Sequence, residues 1–336
     1  MKISASIYSN PNKALSDIVK DLDVFHIDYL HVDCNDDPKV FDDIANIRTF
    51  SKTAIDLHVI TENPDRYFDL IRKNAIELVA FQHENLDGPL KYPRDLSSRL
   101  GIAFTSETPV EIFEQYADSC AFILFMTTTP GKSGGSFDER TFDRIREFKK
   151  RFPSKQVHVD GGVNDEISFI LRNLGVTCAI SGSYLVKSDD LPQALLSLKS
   201  DHSGRDYAVR DFMIKPNELP IIAEDEAIDF ATIIKGIDES RLGFILIIDS
   251  SKRLVGVVTD GDIRRAVLSY IEDLSQLKVL DIVNRKPIAV VESSSVSEML
   301  NEIASHQRAI LFLPVVDNSG VLTGAISFNN LVKGEL

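Results

Sequence analysis

Four residues of this chain have the types and placement to handle a proton and a divalent cation: His31, Asp33, His58 and Asp160. His31-Val-Asp33 and Asp160-Gly-Gly162 each close an apolar β-type run, and His58 ends another run between them. Two imidazoles and two carboxylates suffice to ligate a divalent metal, and the carboxylates can act as acid and base about one carbon. Strand parity places His31 and Asp33 on one face of their run, and Asp56 and His58 on one face of the next. If those faces turn inward, His31, Asp33, His58 and Asp160 share a pocket. One histidine at a strand end is usually a hydrogen-bonded structural residue, and His26, His83, His202 and His306 are read that way. Four such groups at one end of one sheet favour the functional reading.

The elements that would position them alternate regularly. Apolar strand-like runs fall near 2–8, 26–33, 54–61, 77–82, 100–105, 121–128, 156–160 and 177–182, with amphipathic stretches such as 64–74, 108–117, 138–151 and 164–174 between them. Eight such strands over about 200 residues fit a parallel α/β fold closed as a (β/α)₈ TIM barrel. In that fold the reacting groups sit at the C-terminal strand ends, where the loops after strands seven and eight can cradle a phosphate. Gly161-Gly162 and Ser181-Gly182-Ser183 occupy those two loops. Thr129-Pro-Gly-Lys-Ser-Gly-Gly-Ser136 reads as a mobile lid, and its glycine spacing is not that of an ATP-binding P-loop.

These residues resemble the ribulose-phosphate 3-epimerases over about residues 2–198. The likeness rests on Ser4-Ala-Ser6-Ile-Tyr-Ser9, His31-Val-Asp33, Asp56-Leu-His58, Gly101-Ile-Ala103 with Thr108-Pro109, Met126 with Pro130-Gly131, Val159-Asp-Gly-Gly162 and Ser181-Gly-Ser183. The resemblance implies a metal-dependent epimerase, an isomerase acting at C3 of a pentose phosphate or a close analogue. It implies one divalent ion (Zn, Fe, Mn or Co) on His31, Asp33, His58 and Asp160, with Asp33 and Asp160 transferring the proton through an enediolate. It places Ser6, Met126, Gly134, Gly161, Gly162, Gly182 and Ser183 at the sugar phosphate. Several positions depart from the family: Asn35-Asp36-Asp37 stands for Met-Asp-Gly, Val59-Ile60 for Leu-Met, and Phe81-Gln-His-Glu84 for Phe-His-x-Glu. Thr129 replaces an Asn and His158 a Glu. Two other readings stay open: a catalytically silent sensor or scaffold, and a related barrel lyase or synthase. The second usually needs Asp-x-Lys-x-x-Asp on the third strand, where this chain has no Lys.

After a polar linker at 199–204 the rhythm changes. Two units, about 208–270 and 277–335, repeat a pair of apolar strands: Phe244–Asp249 with Leu254–Thr259, and Ile310–Val316 with Val321–Ser327. Neither half has much apolar surface of its own to enclose, so the two should pack as one domain. They resemble a CBS domain pair, a smaller α+β module. This divides the chain into 1–203 and 204–336. The resemblance implies an adenine-nucleotide or nucleotide-sugar effector held by Thr259 and Asp262, and in the second copy by Ser327 and Asn330. By analogy it also suggests service in sugar-precursor synthesis for surface polysaccharide.

A net charge of −14 argues against a nucleic-acid partner. Three scattered cysteines without metal-ligand spacing, a polar N-terminus and no membrane-length apolar run lead to an expected cytoplasmic protein, away from membranes. A homo-oligomer is expected as well.

Overall fold

The computed structural model describes residues 1–88, 90–131, 135–199, 208–224, 229–273, 277–304, 306 and 310–327. The chain divides into two compact units, Met1–Ser203 and Gly204–Lys333.

In the first unit eight parallel strands close a barrel in sequence order: β1 Lys2–Ser6, β2 Tyr29–Asn35, β3 Ala54–Ile60, β4 Leu78–Gln82, β5 Arg99–Phe104, β6 Phe122–Met126, β7 Gln156–Asp160 and β8 Cys178–Ser181. Each strand is buried on both faces, which is why the runs read as continuously apolar. One parity packs outward on helices such as Leu15–Val24, Arg140–Arg151 and Asp165–Asn173. The other fills the barrel with Tyr29, Leu78, Ala80, Phe122, Leu124 and Met126, among others. The expected alternation holds with two departures. The stretch read as helical at 108–117 is a 3₁₀ helix, Val110–Tyr116. Between β4 and β5 the described residues form only one 3₁₀ turn, His83–Asn85. That connection carries Gly88, Pro89 and Pro93 with no 3.6-residue apolar period, so no helix can propagate through it.

The second unit holds two three-stranded sheets, β9 Ile221–Ala223, β10 Phe244–Ile248 and β11 Leu254–Thr259, then β12 Val290–Val291, β13 Phe312–Val316 and β14 Leu322–Ser327. The expected strand pairs are the antiparallel hairpins β10–β11 and β13–β14. The short parallel strands β9 and β12 were not foreseen, because two or three residues carry no readable period.

The halves exchange lead-in segments: Ile214 bridges Ala325 of the second sheet, and Asn284 bridges Val257 of the first. They share one core, in which the Phe244 and Phe312 rings stack at 4.1 Å. Phe244 is fully buried, so Phe244→Ala should cost this unit about 3–5 kcal/mol. A denaturant titration reads that loss; a midpoint unchanged from wild type would contradict the shared core.

Candidate active site

Because all eight barrel strands run parallel, residues near their C-terminal ends converge at one mouth. Register pairs Ser6 with His31, His31 with Asp56, Asp33 with His58, and Met126 with Asp160. Strand β7 stops at Asp160 because Gly161 and Gly162 follow at φ +113° and +62°, the left-handed region that favours glycine.

One ligand atom from each of His31, Asp33, His58 and Asp160 lies within 4.8 Å of the other three. His31 Nε2 is 3.5 Å from Asp33 Oδ1 and 3.7 Å from Asp160 Oδ2. It is buried and has no hydrogen-bond partner, whereas His31 Nδ1 is 3.0 Å from Asp56 Oδ2. Asp56 in turn accepts a hydrogen bond from Ser4 Oγ at 2.9 Å. In the neutral ring a carboxylate on Nδ1 favours the Nδ1–H tautomer, leaving the Nε2 lone pair free to ligate. His58 lies with Nδ1 3.2 Å from Asp33 Oδ1 and Nε2 2.8 Å from Gln82 Oε1. An orphaned imidazole nitrogen between two carboxylates is what a cation would satisfy, and the N₂O₂ donor set suits Zn²⁺, Fe²⁺, Co²⁺ or Mn²⁺.

The two carboxylates differ in proton affinity. Burial works against the charge on Asp33, yet the imidazoles of His31 and His58 hold it far below the usual carboxylate range. Burial pushes Asp160 up to about 6, with His31 opposing and the Asp33 charge reinforcing. Burial also disfavours a charged His31, but the Asp56 and Asp33 carboxylates raise its pKa well above the ordinary value. A pair of carboxyl groups whose environments push their pKa values apart is suited to acid and base roles.

Beside the cluster a cavity of about 380 Å³ is lined by Ser6, Asp33, Asp160, Gly161, Gly162, Gly182 and Ser183, all singled out from the sequence. A side chain at its glycines would meet close neighbours. A Cβ on Gly161 would lie 2.5 Å from Thr127 Oγ1, one on Gly162 2.5 Å from the Phe137 backbone N, and one on Gly182 2.4 Å from Ser9 Oγ. Met126 is buried in the barrel interior and does not line this cavity. Gly134 lies outside the described residues, as does most of the expected lid's centre, 132–134. Sequence reasoning missed Ser9, Thr128, Asn164 and Tyr184 of the wall, and Asp56 and Gln82 behind the histidines. Asp56 carried a signal, since it shares a face with His58; Gln82 carried only its place at a strand end.

In the second unit Thr259 and Asp262 form a capping box on helix Asp260–Ser269: Thr259 Oγ1 accepts from Asp262 N at 3.1 Å, and Thr259 N donates to Asp262 Oδ2 at 2.9 Å. Arg265 Nη2 donates to Asp262 Oδ1 at 2.5 Å. A surface cleft of about 520 Å³ runs past Asp262, Arg265, Ser269, Tyr270 and Ile282. Ser327 ends β14 opposite Phe312, the place Thr259 holds opposite Phe244. Asn330 lies outside the described residues.

A model of the Ribulose-phosphate 3 epimerase family matches residues 2–186, and the CBS domain matches 209–269 and 279–335. The chain is 25% identical over 216 residues to the ribulose-phosphate 3-epimerase of Bacillus subtilis (strain 168), covering 59% of this chain and 98% of that protein. It is 29% identical over 216 residues to the one from Helicobacter pylori (strain ATCC 700392 / 26695), covering 60% and 97%. Among solved structures, the CBS-pair protein CBSX2 from Arabidopsis thaliana is 25% identical and covers 38% of this chain and 94% of that one, with a TM-score of 0.31.

Proposed function

Since the chain belongs to the ribulose-phosphate 3 epimerase family and is an epimerase of the isomerase class, we propose that its barrel inverts C3 of D-ribulose 5-phosphate, D-xylulose 5-phosphate or a close ketose phosphate. The observation that carries this reading is the approach of His31, Asp33, His58 and Asp160 to within 4.8 Å beside a glycine-walled cavity.

The proton beside a ketone is too weakly acidic for an unaided carboxylate. A divalent cation held by His31, Asp33, His58 and Asp160 would supply Lewis-acid stabilisation of the negative charge developing on the substrate oxygens. The protein's own groups do the rest. Asp33, ionised in this cluster, takes the C3 proton from one face. Asp160, whose proton affinity is raised by burial, returns one to the other face, and the roles exchange for the reverse direction. The backbone at Gly161, Gly162 and Gly182, which carry no Cβ, together with the amide and hydroxyl of Ser183, would receive the phosphate. Ser6 and Ser9, joined Oγ to Oγ at 3.1 Å, offer hydroxyls to the sugar.

In the test, ribulose 5-phosphate and a small panel of ketose phosphates are incubated in D₂O with the chain loaded with Zn²⁺, Mn²⁺, Co²⁺ or Fe²⁺. Deuterium at C3 is the expected result. No incorporation with any metal or substrate would sink the reading and leave a silent scaffold. Chelation of the loaded protein should abolish exchange, and re-addition of the cation should restore it.

For the second unit we propose a regulatory role through an adenine nucleotide or nucleotide sugar bound near Thr259, Asp262 and Ser327, serving sugar-precursor synthesis. The cleft beside Asp262 and Arg265 supports it, with a carboxylate for ribose hydroxyls and a guanidinium for phosphate. The three cysteines are buried and unpaired, which suits a reducing compartment such as the cytoplasm.

A further inference from the structure

We propose that Gln82 is a positioning residue: it holds His58 in the Nε2–H tautomer and so keeps the His58 Nδ1 lone pair turned toward Asp33 and the cation cluster. The inference rests on the metal reading above. Gln82 is the last residue of β4, fully buried, at a position where the resembled family carries His.

The polarity of its hydrogen bonds decides the matter. Gln82 Nε2 donates to Glu84 Oε2 and, at 3.3 Å, to the Ala103 carbonyl. A carbonyl can only accept, and so can an ionised carboxylate. Burial works against the Glu84 charge, but hydrogen bonds from Thr108, Gln82 and Thr105 hold its pKa below the usual value. Its other oxygen accepts from Thr105 N at 2.9 Å, Thr105 Oγ1 at 3.0 Å and the Thr108 hydroxyl. The Gln82 amide therefore cannot turn over: a flip would set its oxygen against a carboxylate and a carbonyl. With Oε1 facing His58 at 2.8 Å, the ring nitrogen there must be the donor.

In the neutral ring His58 Nδ1 is then left as an acceptor 3.2 Å from Asp33 Oδ1, another acceptor. At that distance only a positive charge satisfies both, either a cation bound between them or a second proton on the ring, and a bound cation displaces that proton. Without Gln82, His58 can adopt the Nδ1–H tautomer and donate directly to Asp33, a neutral self-satisfied pair that competes with the cation. Glu84, in the turn after β4, thus orients Gln82, and Gln82 orients His58 on the neighbouring strand β3.

Three measurements on the full chain test this. Ring ¹⁵N shifts of the metal-free protein, at a pH where the imidazoles are neutral, should show His58 as Nε2–H in wild type and a shift toward Nδ1–H in Gln82→Leu. Co²⁺ titration, followed by its visible spectrum, should show affinity falling about 10–100-fold in Gln82→Leu. Gln82→His, with one donor and one acceptor, should restore both. Glu84→Gln, on the open side of the network, frees the amide to flip and should give the same ¹⁵N change with a smaller loss of Co²⁺ affinity, even if Gln82→Leu does not fold. Exchange kinetics should show kcat falling with KM little changed. Wild-type Co²⁺ affinity in Gln82→Leu, an Nδ1–H tautomer in wild type, or failure of Gln82→His to restore binding each overturns the inference. A wild type that shows the Nε2–H tautomer but binds no cation overturns the metal reading and leaves the tautomer lock standing.

Discussion

Asp160→Asn and Asp33→Asn are each expected to cut C3 proton exchange by about 10²–10⁴-fold, the range a lost general acid or base costs, and further where cation affinity falls too. An amide has the size of the carboxyl group but neither takes nor holds the proton. The same two substitutions should act oppositely on the stability of the metal-free protein. Asp160 has a folded pKa of about 6, raised by burial above the ordinary 3.8. The native state therefore binds more protons than the unfolded state between these values, and the stabilisation present below pH 3.8 is lost as pH rises through about 6. Near pH 7 Asn removes a buried charge, so Asp160→Asn should fold as well as wild type or better. Asp33 has its pKa lowered by His31 and His58, so its contribution is present above the ordinary value and removed with the side chain. Asp33→Asn should be the less stable at neutral pH. Thermal melts of both variants without metal, beside deuterium incorporation with it, check the pair. Retained exchange in either variant would remove that aspartate from the mechanism.

Gly162→Ala is the second large effect. Gly162 sits at φ +62°, where a side chain costs about 1–3 kcal/mol. Its Cβ would also lie 2.5 Å from the backbone N and 2.9 Å from the Cα of Phe137, atoms that cannot rotate away. The loop after β7 must shift, and the amides facing the cavity move with it. Losing one charge-assisted hydrogen bond to a phosphate is worth about 1.5–3 kcal/mol, a rise in KM on the order of 10–100-fold. Because Asp160 is anchored in the β6–β7–β8 ladder, kcat should change much less. Steady-state kinetics separates the two; an unchanged KM would show that the phosphate is held elsewhere.

Much of this is legible in the sequence. A parallel barrel buries both faces of every strand, so its runs stand out as apolar segments, and β2, β3 and β7 lie within a few residues of where the sequence puts them. His31, Asp33, His58 and Asp160 are recognisable because they interrupt such runs at one end with groups that cost energy to bury. The repeat in the second unit was readable for a similar reason, through its two long hairpins. The short strands β9 and β12 and the capping role of Thr259 and Asp262 were not, since they depend on a neighbour rather than on a period.

The order of residues along the chain thus determined the barrel, the repeat and the types of group at the mouth, because periodicity and chemical identity are local properties. Tertiary structure alone decided which nitrogen of each histidine is left free. That choice rests on Asp56 lying across from His31 and on Gln82 lying beside His58, contacts set by the register of neighbouring strands some 25 residues apart. A hydrogen bond's polarity belongs to both partners, and only the closed barrel brings the second partner within reach.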